Sequence, residues 1–302
     1  MSPLPFAVVL NFRTPGETLR LVRSLQQDRA PLAGIIVVDN ASGDGSAEHL
    51  RRTLVGVHVI AAATNGGFAA GCNLGIREAR SRGAARVLLL NSDVSVMAGA
   101  IEALSRVMDL DARLGIVGPM LVSTGDDERI ESLGIRYAAR SGRMRHVGFG
   151  RHRAEVAPFG RRDVDGVTGC AMLVRREVFD AIGLLAETFF FGFEDLDFCL
   201  RARAAGFVTA CIGAAVVRHQ GSASIGRRSP RRLYFAVRNH LLLARRRAGP
   251  HRRLTAWTQT GSILALNLAH VLFTSDVAPG EGLVAFTAGV RDHFTRRYGA
   301  DA

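Results

Sequence analysis

Gly34-Ile35-Ile36-Val37-Val38-Asp39-Asn40-Ala41-Ser42-Gly43-Asp44-Gly45 passes from four successive aliphatic residues straight into a polar, glycine-rich run. Such an apolar run, bounded by turn residues, reads as a strand buried on both faces, and the polar run as the loop at its carboxyl end. Open α/β sheets place their ligands at that end. Asp39 would there offer its carboxylate to a base or a ribose. An Asp that opens a turn can equally bond its own backbone, and taken alone the residue leaves both readings open. Upstream, Phe6-Ala7-Val8-Val9-Leu10 is another buried strand. Thr14-Pro15-Gly16-Glu17 then has the capping-box spacing, with proline at the first helical position and Leu19, Val22 and Leu25 continuing at helical period. Downstream come a strand over Val57 to Ala61, a turn at Asn65-Gly66-Gly67-Phe68, a helix over Ala69 to Arg82 and a fourth strand, Arg86 to Leu90, ending on Asn91-Ser92-Asp93. This alternation predicts a parallel sheet with helices on both faces.

A helix over Gly99 to Asp109 and a strand over Gly115 to Met120 follow, and between Ser123 and Asp165 the periodicity loosens into a charged, glycine-containing insertion of the functional or mobile kind. Order returns with a strand over Ala171 to Val174, a helix over Arg175 to Ile182, an aromatic strand or turn at Phe189 to Phe193 and a helix over Asp195 to Ala205. Short strands near Thr209 and Val216 lead to a Gly/Ser/Arg loop, Gly221 to Ser229, and then to helices over about Pro230 to Arg247, Leu254 to Thr274 and Gly282 to Arg297.

The 302 residues carry a net charge of +12, supplied entirely by arginine, since lysine is absent. Guanidinium groups pair two-pronged with phosphate oxygens, so an anionic partner is expected: a diphosphate, a lipid face or a nucleic acid. One Trp and three Tyr, without any motif that reads RNA or DNA, argue against nucleic acid. The four cysteines lie far apart, as core residues do, and show neither zinc nor disulfide spacing. No basic stretch followed by an apolar run opens the chain, which predicts a cytoplasmic protein. The dense apolar part of the Leu254 to Ser275 helix, Ile263 to Phe273, is too short to span a bilayer and suits a buried or interfacial helix.

No glycine pattern follows the first strand at Asn11-Phe12-Arg13, which counts against a nicotinamide dehydrogenase and against a nucleotidyltransferase with a phosphate loop. Asp93 projects from a strand end, where a carboxylate can share Mg²⁺ or Mn²⁺ with diphosphate oxygens. Glu194-Asp195-Leu196-Asp197 crowds carboxylates at a helix start. Helix-dipole stabilisation accounts for Asp197, whereas the apolar Phe189-Phe190-Phe191-Gly192-Phe193 before them suits Glu194 and Asp195 to raised pKa values and general-base work. His219, at a strand end, has the chemistry to ligate a metal or meet a diphosphate. Arg227, Arg228, Arg231, Arg232 and Arg238 supply positive charge for a leaving diphosphate, although a solvated basic helix face would look the same.

Together these segments resemble the family 2 inverting glycosyltransferases of the GT-A fold, in particular the bacterial rhamnosyltransferase-like branch. The resemblance runs through Val37 to Ser46, Asn65 to Gly75, Leu88 to Asp93, Gly169 to Arg176, Phe193 to Arg201 and Arg238-Asn239, and so covers roughly Phe6 to Leu243. It implies a Rossmann-like nucleotide-sugar-binding mixed sheet flanked by helices. The catalytic domain would be 1–222, with a nucleotide-sugar-binding half at 1–120 and an acceptor and catalytic half at 164–222, and 223–302 would form a helical extension. By the same resemblance Asn11, Arg13, Asp39, Asn65, Gly67, Asn73, Asn91, Asp93 and Arg238 bind the nucleotide sugar, and Gly169 and Cys170 face the acceptor. Asp195 is the base supported by Glu194, and Asp93 and His219 hold Mg²⁺ or Mn²⁺. Asn91 replaces the first carboxylate of the family's Asp-x-Asp motif, and Arg13 stands where the branch has a second asparagine. The implied reaction moves a sugar from dTDP-rhamnose or a UDP-sugar to a hydroxyl of a glycan or lipid-linked acceptor in cell-surface polysaccharide synthesis. The arginines would hold the enzyme on the anionic inner face of the plasma membrane. The competing expectation is a catalytically silent nucleotide-sugar or membrane-surface binding protein.

Overall fold

The opening strand, β1 (Phe6–Asn11), sends Ala7 and Val9 to one face of a sheet and Val8 and Leu10 to the other, and all four are buried. This period of two, with both faces covered, is what a continuous aliphatic run requires. The computed structural model describes residues 3–27, 32–125, 128–221, 229–247 and 253–299. After β1 come α1 (Pro15–Gln27), β2 (Gly34–Asp39), α2 (Ser46–Thr53), β3 (His58–Ala61), α3 (Gly67–Ser81), β4 (Arg86–Asn91), β5 (Val94–Val96), α4 (Ala100–Leu110) and β6 (Leu114–Ser123). The middle holds β7 (Ile130–Ser132), β8 (Ile135–Tyr137), β9 (Met144–His146), β10 (Arg161–Val164), β11 (Ala171–Arg175), α5 (Arg176–Ile182), α6 (Glu194–Ala204) and β12 (Val208–His219). Helices α7 (Pro230–Arg247), α8 (Arg253–Phe273) and α9 (Pro279–Phe294) follow.

The main sheet runs β10-β12-β6-β11-β4-β1-β2-β3. Strands β1 to β4 are mutually parallel, as the alternation predicts, while β11 lies antiparallel between β4 and β6, which makes the sheet mixed. Helices α1 and α4 cover one face through Leu21, Val22, Leu25, Leu104 and Met108. On the other face, α3, α5 and α6 bring Cys72, Ile76, Phe179, Phe198 and Cys199. Register places Asn11 beside Asp39 and Leu10 beside Asn91, so the polar residues that end β1, β2 and β4 share one edge.

Several expectations change. The 123–165 stretch, expected to be irregular, is ordered over its described residues: β7 pairs with β6, β8 with β9 and β10 with β12, and Ile130, Leu133, Ile135 and Val164 are buried. Its strands of three or four residues are too short to show a period. The two short strands expected near Thr209 and Val216 are one strand, β12, with a bulge between Ile212 and Val216. Of the strand and the turn left open for the aromatic segment, the turn is formed, beginning with a 3-10 turn at Glu187–Phe189. Helix α2 escapes the pattern because only Ser46 and Leu50 are buried in it. The Thr14–Glu17 capping box does not close. The Thr14 hydroxyl lies 2.8 Å from Ser92 Oγ, and Glu17 Oε2 has no hydrogen-bond partner among the described residues. Arg227 and Arg228, in the Gly221 to Ser229 loop, lie outside the described residues.

Candidate active site

The polar strand ends are first locked to one another. Asp39 accepts hydrogen bonds from Asn11 Nδ2 (2.6 Å), Ser42 Oγ (2.5 Å) and Ser42 N (3.1 Å), and Asn11 Oδ1 accepts from Thr18 Oγ1 (2.8 Å). Arg13, in the left-handed region at φ 57°, is tied through its N–H to Ser42 Oγ and through Nε to the Ser42 carbonyl. Asn11 is fully buried, so it shapes the floor of the crevice from beneath. In the next layer Asn40 Nδ2 donates to Asn65 Oδ1 and to the Gly67 carbonyl, both at 3.0 Å, and Asn65 Oδ1 also accepts from Gly67 N. A cavity of about 160 Å³ opens above these groups. Phe12, Asn40, Asn65 and Phe68 line one part of it, Asn91, Ser92 and Asp93 another, and Phe190, Phe191 and Arg231 complete it. Asn40 Oδ1 and Asn91 Oδ1 are buried without hydrogen-bond partners among the described residues. Unpaired acceptors of this kind are costly unless a ligand meets them.

Short strand β5 brings Asp93 to His219. It pairs antiparallel with β12, in the register His219↔Val94, and the Gln220 N–H donates to the Asp93 carbonyl. His219 Nε2 lies 3.4 Å from Asp93 Oδ2, and Nδ1 lies 2.6 Å from Glu131 Oε2. Burial opposes charge on His219, but its bonds to Asp93, Cys170 and Glu131 outweigh that and push the imidazole up to about 12. Two carboxylates thus favour positive charge at this point. With Asn91 Oδ1 unsatisfied alongside, the donor set of Asp93 and His219 fits a hard divalent ion, and Glu131 on Nδ1 is the outer partner that orients such a histidine. Among the described residues no cluster of three or more His, Cys, Asp or Glu forms a complete cage, so other ligands would come from substrate and water. Glu131 escapes sequence reading because it sits in the stretch without visible period. Glu17, read in the sequence only as part of a capping box, has its carboxyl raised by burial and by the Asp93 charge.

On the other side of the Phe189–Phe193 turn a cavity of about 630 Å³ is lined by Asp195, His146, Arg143, Met144, Phe191, Phe193, Arg232, His240 and Leu266, among others. Asp195 is half-buried at its wall. Its Oδ2 accepts from Gly169 N (2.9 Å) and its Oδ1 from Leu196 N (2.7 Å), which leaves a free lone pair on each oxygen. Burial raises the Asp195 carboxyl, against the lowering effect of those two bonds. Glu194 is raised by burial and then by the Asp195 charge, and its Oε2 has no hydrogen-bond partner among the described residues. A Cβ at Gly169 would stand 2.9 Å from the Phe68 ring, so a side chain there would require that ring to shift. Cys170 accepts at its carbonyl from Asn91 N, with its sulfur 3.8 Å from His219 Nε2, so it belongs to the Asp93–His219 side of the crevice. His146, whose imidazole burial holds below its ordinary value, reaches the cavity on β9 and has no sequence signal.

Two residues expected to bind nucleotide are placed elsewhere. Arg238 is fully buried, donates to the Phe189 carbonyl (2.8 Å) and lies over the Phe235 ring at 4.8 Å, so its guanidinium holds the aromatic turn and not a diphosphate. Its neighbour Asn239 donates to the carbonyls of Phe189, Phe191 and Gly192. Asn73 points away from the crevice and bridges α3 to Leu185 and Glu187. Asp197 is more than a helix-dipole partner: its buried carboxylate pairs with Arg201 (2.8 Å) and with Arg246 of α7 (2.9 Å). Of the arginines expected near the diphosphate, Arg231 lines the smaller cavity and Arg232 the larger.

The architecture has solved counterparts. GalNAc-T7, solved with UDP, GalNAc and Mn²⁺, superposes with a TM-score of 0.60 at 13% identity over 98% of this chain, which spans 58% of that protein. The mannosyltransferase PcManGT from Pyrobaculum calidifontis, in complex with GDP-Man and Mn²⁺, gives 0.58 at 15% identity, covering 98% of this chain and 88% of its own. These likenesses show the GT-A fold. In sequence, the chain is 26% identical to the dTDP-rhamnosyl transferase RfbF of Shigella flexneri, over 95% of this chain and 97% of that one. It is also 26% identical to the N-acetylglucosaminyl-diphospho-decaprenol L-rhamnosyltransferase of Mycobacterium tuberculosis, over 87% and 91%. Fold, crevice and relatives define a glycosyltransferase that draws on a nucleotide sugar. The family model for glycosyltransferase-like family 2 matches residues 6–241, and the chain belongs to that family.

Proposed function

We propose that the protein transfers a sugar, rhamnose or a related hexose carried on dTDP or UDP, to a hydroxyl of a glycan or lipid-linked acceptor in one inverting displacement. The observation that carries this reading is the position of Asp195: two backbone N–H groups fix its carboxylate in the wall of the larger cavity, across the Phe189–Phe193 turn from the smaller one that ends at Asp93. Nucleoside and diphosphate would occupy the smaller cavity, where Asn40 and Asn91 offer unpaired acceptors. Asp93 and His219 would hold a divalent cation, which supplies charge neutralisation to the diphosphate. The acceptor hydroxyl, in the larger cavity, gives its proton to Asp195 as its oxygen bonds the anomeric carbon. The bond from that carbon to the diphosphate oxygen breaks on the opposite side, and Arg231 helps to stabilise the departing charge. A single displacement inverts the configuration. Glu194, held neutral by burial, would keep a second negative charge away from the base.

Asp195→Asn keeps the shape but cannot take the proton, so turnover should fall about 10² to 10⁴-fold with little change in donor affinity. Thermal stabilisation by UDP-, dTDP- and GDP-sugars with Mn²⁺ reads that affinity and selects the donor. Near wild-type turnover in Asp195→Asn removes the base assignment. Transfer that survives both exhaustive chelation and Asp93→Ala removes the metal.

A further inference from the structure

His146 and Asp195 both line the larger cavity, and among the described residues no hydrogen bond or ion pair joins them. The imidazole is held at one edge only. Its Nδ1 lies 3.1 Å from Oγ of Ser132, a buried residue whose hydroxyl also meets the Gly134 N–H at 3.1 Å and the Gly134 carbonyl at 3.2 Å. A hydroxyl has one hydrogen and two lone pairs, so these three contacts are met together in a single way. The hydrogen goes to the Gly134 carbonyl, and the lone pairs receive the Gly134 N–H and an N–H on His146 Nδ1. Nε2 is then the bare nitrogen of the ring, and it has no partner among the described residues. Burial keeps the imidazole below its ordinary value, against the Asp195 charge, so near neutral pH this lone pair is not lost to a proton. The cavity thus offers two separate hydrogen-bond acceptors, beside the rings of Phe191, Phe193 and Phe235. A simple lipid alcohol or phosphate would satisfy at most one of them. A sugar ring brings neighbouring hydroxyls on its rim and a C–H face for the aromatic wall.

We infer that His146 selects the acceptor hydroxyl: its Nε2 accepts a hydrogen bond from one hydroxyl of an acceptor sugar and so presents the neighbouring hydroxyl to Asp195. No proton passes to His146. The inference rests on the sugar-transfer reading and narrows it, because the reacting group then belongs to a saccharide with two adjacent hydroxyls.

Nitrogen NMR of the imidazoles in the full chain comes first, since it needs no substrate. Near neutral pH the His146 signals, identified by their loss in His146→Gln, should show a proton on Nδ1 and none on Nε2. A proton on Nε2 overturns the inference. Transfer is then followed with octyl glucoside, octyl galactoside and octyl rhamnoside as acceptor probes, with monodeoxy derivatives of the one used best, and with farnesyl phosphate. His146→Leu should raise the acceptor KM about 3- to 10-fold, the worth of one neutral hydrogen bond, and leave donor affinity unchanged. Removing the hydroxyl next to the reacting one should cost the wild-type protein a similar factor and cost His146→Leu nothing more. His146→Gln, whose amide reaches the place of Nε2, should regain the lost affinity, and His146→Asn, which reaches only that of Nδ1, should not. An unchanged urea midpoint shows that the variants remain folded. Losses from substitution and from deoxygenation that simply add overturn the inference, as does transfer to farnesyl phosphate and to none of the pyranosides. Failure of the sugar-transfer reading shows separately, as a wild-type protein that no nucleotide sugar stabilises, and it takes this inference with it.

Discussion

Asn239→Ala is expected to weaken both cavities at once, although Asn239 lines neither. Its Nδ2 carries two hydrogens and faces three carbonyls, those of Phe189 and Phe191 at 2.8 Å and that of Gly192 at 3.1 Å. Two net hydrogen bonds at about 0.5–1.5 kcal/mol each put the loss of stability at about 1–3 kcal/mol. Within the same turn Phe190 (φ 63°) and Phe193 (φ 74°) both hold positive φ. That conformation costs a side-chain-bearing residue roughly 1–2 kcal/mol. The staple and the strain are thus of one size, and without the amide the turn has little reason to keep its shape. Arg238 still grips Phe189, so the chain should fold. Phe190 and Phe191 line the smaller cavity, and Phe191 and Phe193 the larger. A shift of about an ångström in such positions lowers rates by up to about 10²-fold. The assay pairs a urea midpoint with kcat and KM for donor and acceptor: the midpoint should fall, kcat should fall tenfold or more, and both KM values should rise. Unchanged midpoint and kinetics would refute the argument. A lower midpoint with intact kinetics would show that the turn keeps its form unaided.

Asp197→Asn should cost about 2–3 kcal/mol in urea, below the roughly 3–5 of a fully buried pair because Arg201 and Arg246 are partly exposed. A loss of only about 0.3–1 kcal/mol would restore the simple dipole role. Glu194 has a folded pKa raised by burial and by Asp195, so its contribution to stability is present below its unfolded value near 4.5 and disappears as pH rises through the higher folded value. Glu194→Gln should therefore gain in melting temperature over the wild-type protein towards alkaline pH, and parallel profiles would contradict the assignment. Because Asp195 is also raised, turnover should fall as pH drops through a value above the ordinary aspartate range; a flat acidic limb speaks against it. Gly67→Ala places a Cβ 2.1 Å from the Phe190 carbonyl oxygen at φ 85°, so it should destabilise by about 2 kcal/mol or more and raise the donor KM. Wild-type behaviour would show that the turn yields.

Local pattern sufficed for the strands and helices of the first half except α2 and β5, because runs such as Phe6 to Leu10 and Val37 to Asp39 carry their own periodicity and turn chemistry. It also placed Asp39, Asn91 and Asp93 at strand ends on one edge of a sheet, and the resemblance supplied the GT-A fold that the solved counterparts show. The sequence could not disclose pairings between distant short segments. Strand β5 has three residues, and only its pairing with β12 sets Asp93 against His219. Glu131 reaches His219 from β7, equally short, across 88 positions of chain. Nor could composition separate an arginine that lines a cavity from one that staples a turn: Arg231 and Arg238 lie on the same helix, and burial alone tells them apart. Side-chain identity and local spacing are properties of the chain, whereas the direction a charged group faces is decided by which distant elements bury it.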